Sequence, residues 1–230
     1  MKIIEKIVEA TKDKHNHSMP TIAFLGDSVT EGSFRGYDDY TKVYHAKLRK
    51  MLYDIIPGAN INIINAGIGG TTAPFGAERL ERDVLSRNPD LCVVCFGLND
   101  AGGGADNLSK YTDALSSIFE RLQKENIEVI FMTPNMICKY YNEKLVEAEY
   151  APIIDGFINV QLSGSMDLYM KSAVELAEKY NVPVCDCYGK WKTMEKYGID
   201  TTKLLINGIN HPTEEMHNLF AYSLLETMFS

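Results

Sequence analysis

Thr21-Ile22-Ala23-Phe24-Leu25-Gly26-Asp27-Ser28-Val29-Thr30-Glu31-Gly32 is the stretch from which the rest of the chain can be read. Its first five residues form an unbroken apolar run, and a glycine follows at once. A short apolar run closed by a glycine turn predicts a buried strand and then a tight loop. Such a loop lifts one side chain past the strand's carboxyl end, where open α/β sheets gather their ligands. Here that side chain is Ser28. A serine becomes a nucleophile when a base takes its proton and donors receive the oxyanion.

Outward from this stretch, apolar runs and helical patterns alternate. Strands are expected at 21–26, 61–66, 91–97, 127–133 and 182–187, with helices at about 39–53, 74–87, 107–125, 165–180 and 213–229. This alternation predicts an α/β fold, a three-layer α/β/α sandwich around a mostly parallel five-stranded sheet. The run Leu91-Cys92-Val93-Val94-Cys95-Phe96 suits a strand buried on both faces. No repeat, low-complexity tract or linker interrupts residues 1–230, so a single domain is expected. Residues 1–18 read as an N-terminal extension whose helix carries Ile3, Ile4, Ile7 and Val8 on one face. The stretch 134–164 is irregular and holds Pro134, Tyr140, Tyr141, Tyr150, Pro152 and Phe157. It reads either as a lid or substrate wall over the site, or as a partly helical surface excursion.

Of the 230 residues, 45% are hydrophobic and 23% charged, ordinary values for a globular protein. With 23 basic and 31 acidic residues the formal charge is −8. That balance argues against a nucleic-acid partner or an anionic membrane surface. No apolar run approaches the roughly 18 residues a membrane span needs. The five cysteines, Cys92, Cys95, Cys138, Cys185 and Cys187, are expected to be reduced thiols in a cytoplasm. Cys92 and Cys95 point to opposite faces of their strand, which spoils a zinc or redox site. Gly67, Gly69 and Gly70 lack the spacing of a dinucleotide fingerprint.

Three further segments bear on Ser28. Asn65-Ala66-Gly67-Ile68-Gly69-Gly70-Thr71-Thr72 follows the second strand and Gly97-Leu98-Asn99-Asp100 the third. Both therefore converge with Ser28 at one sheet edge. Asn207-Gly208-Ile209-Asn210-His211-Pro212 precedes the last helix, with Pro212 suited to its first turn and His211 at its entrance. Together these segments resemble the SGNH subgroup of the GDSL-type esterase/lipase superfamily, whose serine, glycine, asparagine and histidine match Ser28, Gly70, Asn99 and His211. The resemblance implies a flavodoxin-like SGNH hydrolase fold and ester hydrolysis through a Ser28 acyl-enzyme. It implies His211 as base, and the backbone N–H groups of Ser28 and Gly70 with the Asn99 amide as oxyanion hole. No metal or cofactor is required. The implied substrate is a small-molecule ester, with short acyl groups, acetyl esters of carbohydrates among them, preferred; a homo-oligomer is compatible.

One position departs from the pattern. Where the family carries the aspartate that accepts the histidine Nδ1–H bond, this chain has Asn207. An amide oxygen fixes the tautomer but stabilises the imidazolium less, and an Asp→Asn change in a serine triad can cost about 10⁴ in turnover. Asn207 is accordingly the expected third catalytic residue, with Asp200, Glu214 and Glu215 as carboxylates nearby in sequence. The departure leaves open a catalytically impaired scaffold that binds acylated sugars, or a lysophospholipase- or thioesterase-type hydrolase. Asp27 and Asp100 read as loop-orienting and turn residues. His45 is expected at a surface or interface, His15 and His17 in a polar segment, and His217 in solvent. Gly102-Gly103-Gly104 reads as a flexible loop that makes room for substrate.

Overall fold

The computed structural model describes residues 1–13 and 15–230. In chain order its main elements are α1 (Lys2–Lys12), β1 (Thr21–Gly26), α2 (Ser28–Glu31), α3 (Tyr44–Ile55), β2 (Asn62–Gly67), α4 (Ala73–Asp83) and β3 (Leu91–Cys95). Then come α5 (Leu108–Lys124), β4 (Glu128–Met132), α6 (Ile154–Leu162), α7 (Ser165–Lys179), β5 (Val184–Cys185), α8 (Cys187–Lys196) and α9 (Glu214–Phe229). The strands form one sheet in the order β2-β1-β3-β4-β5. Every pairing is parallel, with Gly26 opposite both Gly67 and Cys95.

That order sets where ligands gather. The chain steps from β1 outward to β2, then returns past β1 to β3 and continues to β5. The direction reverses between β1 and β3, and the crevice beyond the carboxyl ends of these two strands is the switch point of the sheet. Right-handed crossovers in opposite directions put their helices on opposite faces. Accordingly α3 packs with α9 and α4 packs with α5. The central strands β1 and β3 are buried along nearly their whole length, whereas the edge strand β2 keeps exposed positions at Asn62 and Asn65.

The N-terminal extension is part of this packing. Ile3 and Ile7 are buried, and the Lys2 and Ile3 N–H groups donate to the Glu128 carboxylate at 3.1 and 2.7 Å. A carboxylate at a helix N-terminus satisfies free donors and favours the dipole.

Several boundaries move from the sequence expectation. The last strand shrinks to Val184–Cys185 because Asp186 caps α8, accepting from Gly189 N at 2.9 Å. The helix expected from about 39 starts at Tyr44, as α3, and α9 starts at Glu214 with Pro212 outside it, bridged to Leu205. Two histidines are corrected. His45 is buried, with Nε2 3.1 Å from the Thr30 carbonyl, and burial pushes its pKa down to about 4. His217 is fully buried, stacked on Tyr44, with Nδ1 accepting from Tyr44 N; burial pushes it down to about 3. A neutral imidazole is an aromatic that fills core space, and a helical pattern alone does not separate that use from a solvated one. All five cysteines are buried and free, Cys185 Sγ lying 3.8 Å from Cys187 Sγ.

Candidate active site

Ser28 is the first residue of α2, directly after the end of β1. Asp27 caps the helix, its Oδ1 accepting from Val29 N at 3.0 Å. The short helix turns back at Gly32 (φ 108°), and Gly32 N and Ser33 N both donate to the Ser28 carbonyl at 3.0 Å. Two glycines let this helix sit on the sheet end. A Cβ at Gly26 would lie 2.1 Å from Thr30 Oγ1, and one at Gly67 would lie 2.1 Å from Glu31 N. Any side chain at either position would push α2, and Ser28 with it, off the strand ends. Arg79, buried on α4, ties the same ends together by donating to the carbonyls of Gly26 (2.8 Å) and Ala66 (2.7 Å).

His211 meets Ser28 from the other end of the chain: its Nε2 lies 2.9 Å from Ser28 Oγ. Its Nδ1 lies 3.1 Å from the Phe34 carbonyl oxygen. A carbonyl only accepts, so Nδ1 carries the proton and Nε2 is left to accept from the serine hydroxyl. Burial lowers the His211 pKa; the Phe34 carbonyl and the charge of Asp38 pull the other way.

Asn207 does not fill the place expected of it. Its Oδ1 accepts from the N–H groups of Ile209, Asn210 and His211, each at 3.0 Å, and its Nδ2 donates to Asn210 Oδ1. A short amide side chain with an oxygen aimed at its own downstream backbone shapes a turn. Asn207 thus folds the loop that carries His211 and makes no bond to the ring. Nor do the sequence-adjacent carboxylates step in: Asp200 pairs with Tyr140 and Lys203, and Glu214 with Lys42 and Lys47.

The loop after β2 runs beside Ser28, since a Cβ at Gly69 would lie 3.7 Å from Ser28 Cβ. Glu31 holds this loop, its Oε2 accepting from Gly69 N at 2.7 Å. Gly70 follows with φ 70°, a conformation that suits glycine. Asn99 Nδ2 donates to the Thr71 carbonyl at 2.8 Å, joining the loops after β2 and β3 and leaving its second hydrogen uncommitted to that bond. Asp100 Oδ1 accepts from Ala73 N at 2.9 Å and anchors α4. Asp27 and Asp100 each leave Oδ2 without a partner among the described residues. Burial raises Asp27 to about 7 and Asp100 to about 6. The roles of Glu31, Phe34 and Arg79 were not anticipated from sequence. Glu31 and Arg79 act on backbone groups distant along the chain, and Phe34 acts through its own carbonyl on a distant ring, so no local pattern announces these contacts.

The segment 134–164 is partly wall and partly helix. Its first residues are buried beside the His211 loop, with Asn135 Nδ2 donating to the Asn210 carbonyl (2.8 Å) and Cys138 N to that of Ile209 (2.7 Å). Farther on it forms α6. Among the described residues, no group of His, Cys, Asp and Glu side chains is arranged to hold a metal ion, and no helix is long and apolar enough to cross a membrane.

Comparison with known proteins places this geometry. Among solved structures, Axe2, an acetylxylan esterase from Geobacillus stearothermophilus, superposes with a TM-score of 0.70 at 22% identity, covering 92% of this chain and 94% of that one. LAE5, an alpha/beta hydrolase enzyme from the metagenome of Lake Arreo, Spain, gives a TM-score of 0.69 at 20% identity over 91% and 95% of the two chains. Both likenesses concern the fold. The uncharacterized lipoprotein YqeF of Bacillus subtilis (strain 168) is 36% identical over 117 residues, 49% of this chain and 47% of that protein, so the chain matches about half of that relative's length. The profile of the GDSL-like Lipase/Acylhydrolase family matches residues 24–219, from within β1 into α9. The chain thus belongs to the GDSL-like lipase/acylhydrolase family.

Proposed function

We propose that this protein is a serine esterase that hydrolyses short-chain acyl esters, acetyl esters of carbohydrates among them, through an acyl-enzyme on Ser28. The observation that carries the reading is the 2.9 Å contact between Ser28 Oγ and His211 Nε2, with the ring's other nitrogen committed to Phe34. The carbohydrate direction comes from the acetylxylan esterase that shares the fold. Asn207 gave the binding-only alternative its motive as a weakened triad acid, and Asn207 has no bond to the imidazole.

In this mechanism Ser28 Oγ bonds to the ester carbonyl carbon as its proton passes to His211 Nε2. The carbonyl electron pair moves onto oxygen, which the N–H groups of Ser28 and Gly70 and the second Nδ2 hydrogen of Asn99 receive. Collapse breaks the bond to the alcohol oxygen, and His211 returns the proton to the departing alkoxide. Water then repeats the sequence on the acyl-enzyme and releases the acid. Among the described residues no carboxylate touches the His211 ring. The Phe34 carbonyl fixes the tautomer and meets the protonated ring with a dipole, and Asp38 adds a through-space attraction.

The test is initial-rate hydrolysis of p-nitrophenyl acetate and acetylated xylooligosaccharides by the wild type and Ser28→Ala. Hydrolysis by the wild type, lost to background in Ser28→Ala, is expected. Equal rates in the two proteins would overturn the reading.

A further inference from the structure

A groove of about 310 Å³ opens beside Asn99, and the mechanism above leaves it without a purpose. One side of it is α6 with the turn before it. Ile153, Phe157 and Val160 recur at helical spacing and all line the groove. The residues α6 buries are others, Ile154 and Gln161. Ile153 is 53% exposed and shares the groove lining with Phe157 and Val160, so its apolar surface is part of one continuous wall. Leu98 and Ile137 supply the rest of the apolar lining, and Asn99 is the sole lining residue with a polar side chain.

Two glycines complete the lining. A Cβ at Gly102 or at Gly156 would meet nothing within 4 Å. Elsewhere in this fold, at Gly26, Gly67 and Gly208, a glycine is required by backbone or side chains crowding within 2.7 Å of its missing Cβ. Gly156 has no such need and sits inside a helix, where glycine is among the least favourable residues. What its absent side chain leaves is open groove.

The walls are fixed to each other and to the site. Gln161 Oε1 accepts from Ile137 N at 2.9 Å, while Gln161 Nε2 donates to Tyr188 Oη at 2.9 Å. Ser165 Oγ donates to the Ala101 carbonyl at 2.6 Å, holding the loop that carries Gly102. Asn99, which lines the groove, is joined through Thr71 to the loop beside Ser28. Ile137 precedes Cys138, whose N–H holds the His211 loop. The groove and the proposed oxyanion hole therefore share Asn99.

We propose that this groove is an acyl-chain site, that Gly102 and Gly156 set its open length, and that the enzyme favours unbranched acyl groups longer than acetyl, in the butanoyl to octanoyl range. The inference rests on the Ser28 esterase reading and names the substrate class of that site. A groove of about 310 Å³ has room for a chain of several methylenes. Each methylene fully removed from water is worth about fourfold in kcat/KM when it is held in the transition state. The groove is open to solvent along one side, so a smaller gain per methylene is expected.

The test is the kcat/KM profile over p-nitrophenyl acetate, butanoate, hexanoate and octanoate for the wild type, Ser28→Ala, Gly156→Phe and Val160→Trp, with a thermal melt of each variant. In the wild type kcat/KM is expected to rise about tenfold from acetate to hexanoate. In Gly156→Phe the hexanoate-to-acetate ratio is expected to fall by about tenfold or more, with Val160→Trp acting in the same direction should the first variant fail to fold. A wild-type profile that falls steadily beyond acetate, or a ratio unmoved by either folded variant, overturns the acyl groove while leaving the Ser28 reading intact. Acetate hydrolysis that survives in Ser28→Ala overturns both.

Discussion

Ser28 and His211 touch, yet the molecule holds them by opposite means. The serine follows the end of a central strand, β1, that is buried along nearly its whole length. Its loop is shaped by its own neighbours: a capping aspartate, a one-turn helix and a glycine return at Gly32. The histidine stands in a loop with no regular structure. Asn207 curls that loop from within, and hydrogen bonds from the Asn135 side chain and the Cys138 backbone brace it from outside. Its ring is steered by the carbonyl of Phe34, 177 residues away in sequence. The nucleophile is positioned locally and the base is positioned tertiarily. Substitutions near the serine should act on chemistry at once, whereas those near the histidine should divide into residues that shape its loop and residues that touch its ring.

The largest effect expected of that division separates two positions in one loop. His211→Ala removes the base, and turnover on p-nitrophenyl acetate should fall by about 10⁴- to 10⁶-fold, the range for losing a serine hydrolase base. Asn207→Asp should change turnover by less than about tenfold, because an aspartate oxygen can accept the same three backbone N–H groups and the ring already has its partner. A gain approaching the roughly 10⁴ that separates aspartate from asparagine in a serine triad would break the comparison. It would mean that the side chain at 207 turns to the imidazole and that Phe34 is a bystander.

The same contrast explains what was legible in the sequence. The fold was, because a parallel sheet buried on both faces writes itself as short unbroken apolar runs, and the glycines at 26, 67 and 97 mark where three strands end. The convergence of Ser28, the 67–72 loop and Asn99 follows from strand ends alone. The place of Asn207 was misread because an asparagine four residues before a histidine fits two geometries, one facing the ring and one facing the backbone. Only the loop's three-dimensional path decides between them. Phe34 was illegible for a deeper reason: its contribution is a carbonyl, which every residue has. Helix α6 falls within the partly helical excursion expected over 134–164, but its bounds were not legible because its apolar positions serve the groove as well as the core, which blurs the periodicity that marks a core-facing helix.

Glu31 gives an intermediate effect and sharpens the comparison from the serine side. It closes α2, and its carboxylate holds Gly69 N–H beside the proposed oxyanion donors. A hydrogen bond to a charged group contributes about 1.5–3 kcal/mol. If the loop's alignment matters mainly in the transition state, Glu31→Ala should lower kcat by about 10- to 100-fold with KM changed by less than about threefold. Glu31→Gln, which retains an acceptor, should recover part of the loss. A change in KM alone would mean that the loop holds substrate and does not align the oxyanion donors. An effect as large as that of His211→Ala would mean that the serine side also depends on a single remote contact.

The smallest effect concerns the one carboxylate that reaches the imidazole through space. Burial lowers the pKa of His211, and Asp38 partly offsets this. The base must be neutral in the free enzyme, so kcat/KM should rise with pH through a single limb lying below the ordinary imidazole value of about 6.5 and level off near neutrality. Asp38→Asn removes a negative charge that favours the protonated ring. The folded-state pKa should therefore fall further, the limb should move to lower pH by less than about one unit, and the rate at pH 8 should stay within a few-fold. Ser33 Oγ, which donates to Asp38 Oδ1 at 2.7 Å, finds an acceptor in the amide as well, so the loop carrying Phe34 keeps its shape. Were Asp38 a working triad acid, the same substitution would instead depress the plateau by about 10⁴. The pH–rate profile of this one variant thus separates a ring steered by a main-chain dipole from a ring driven by a carboxylate.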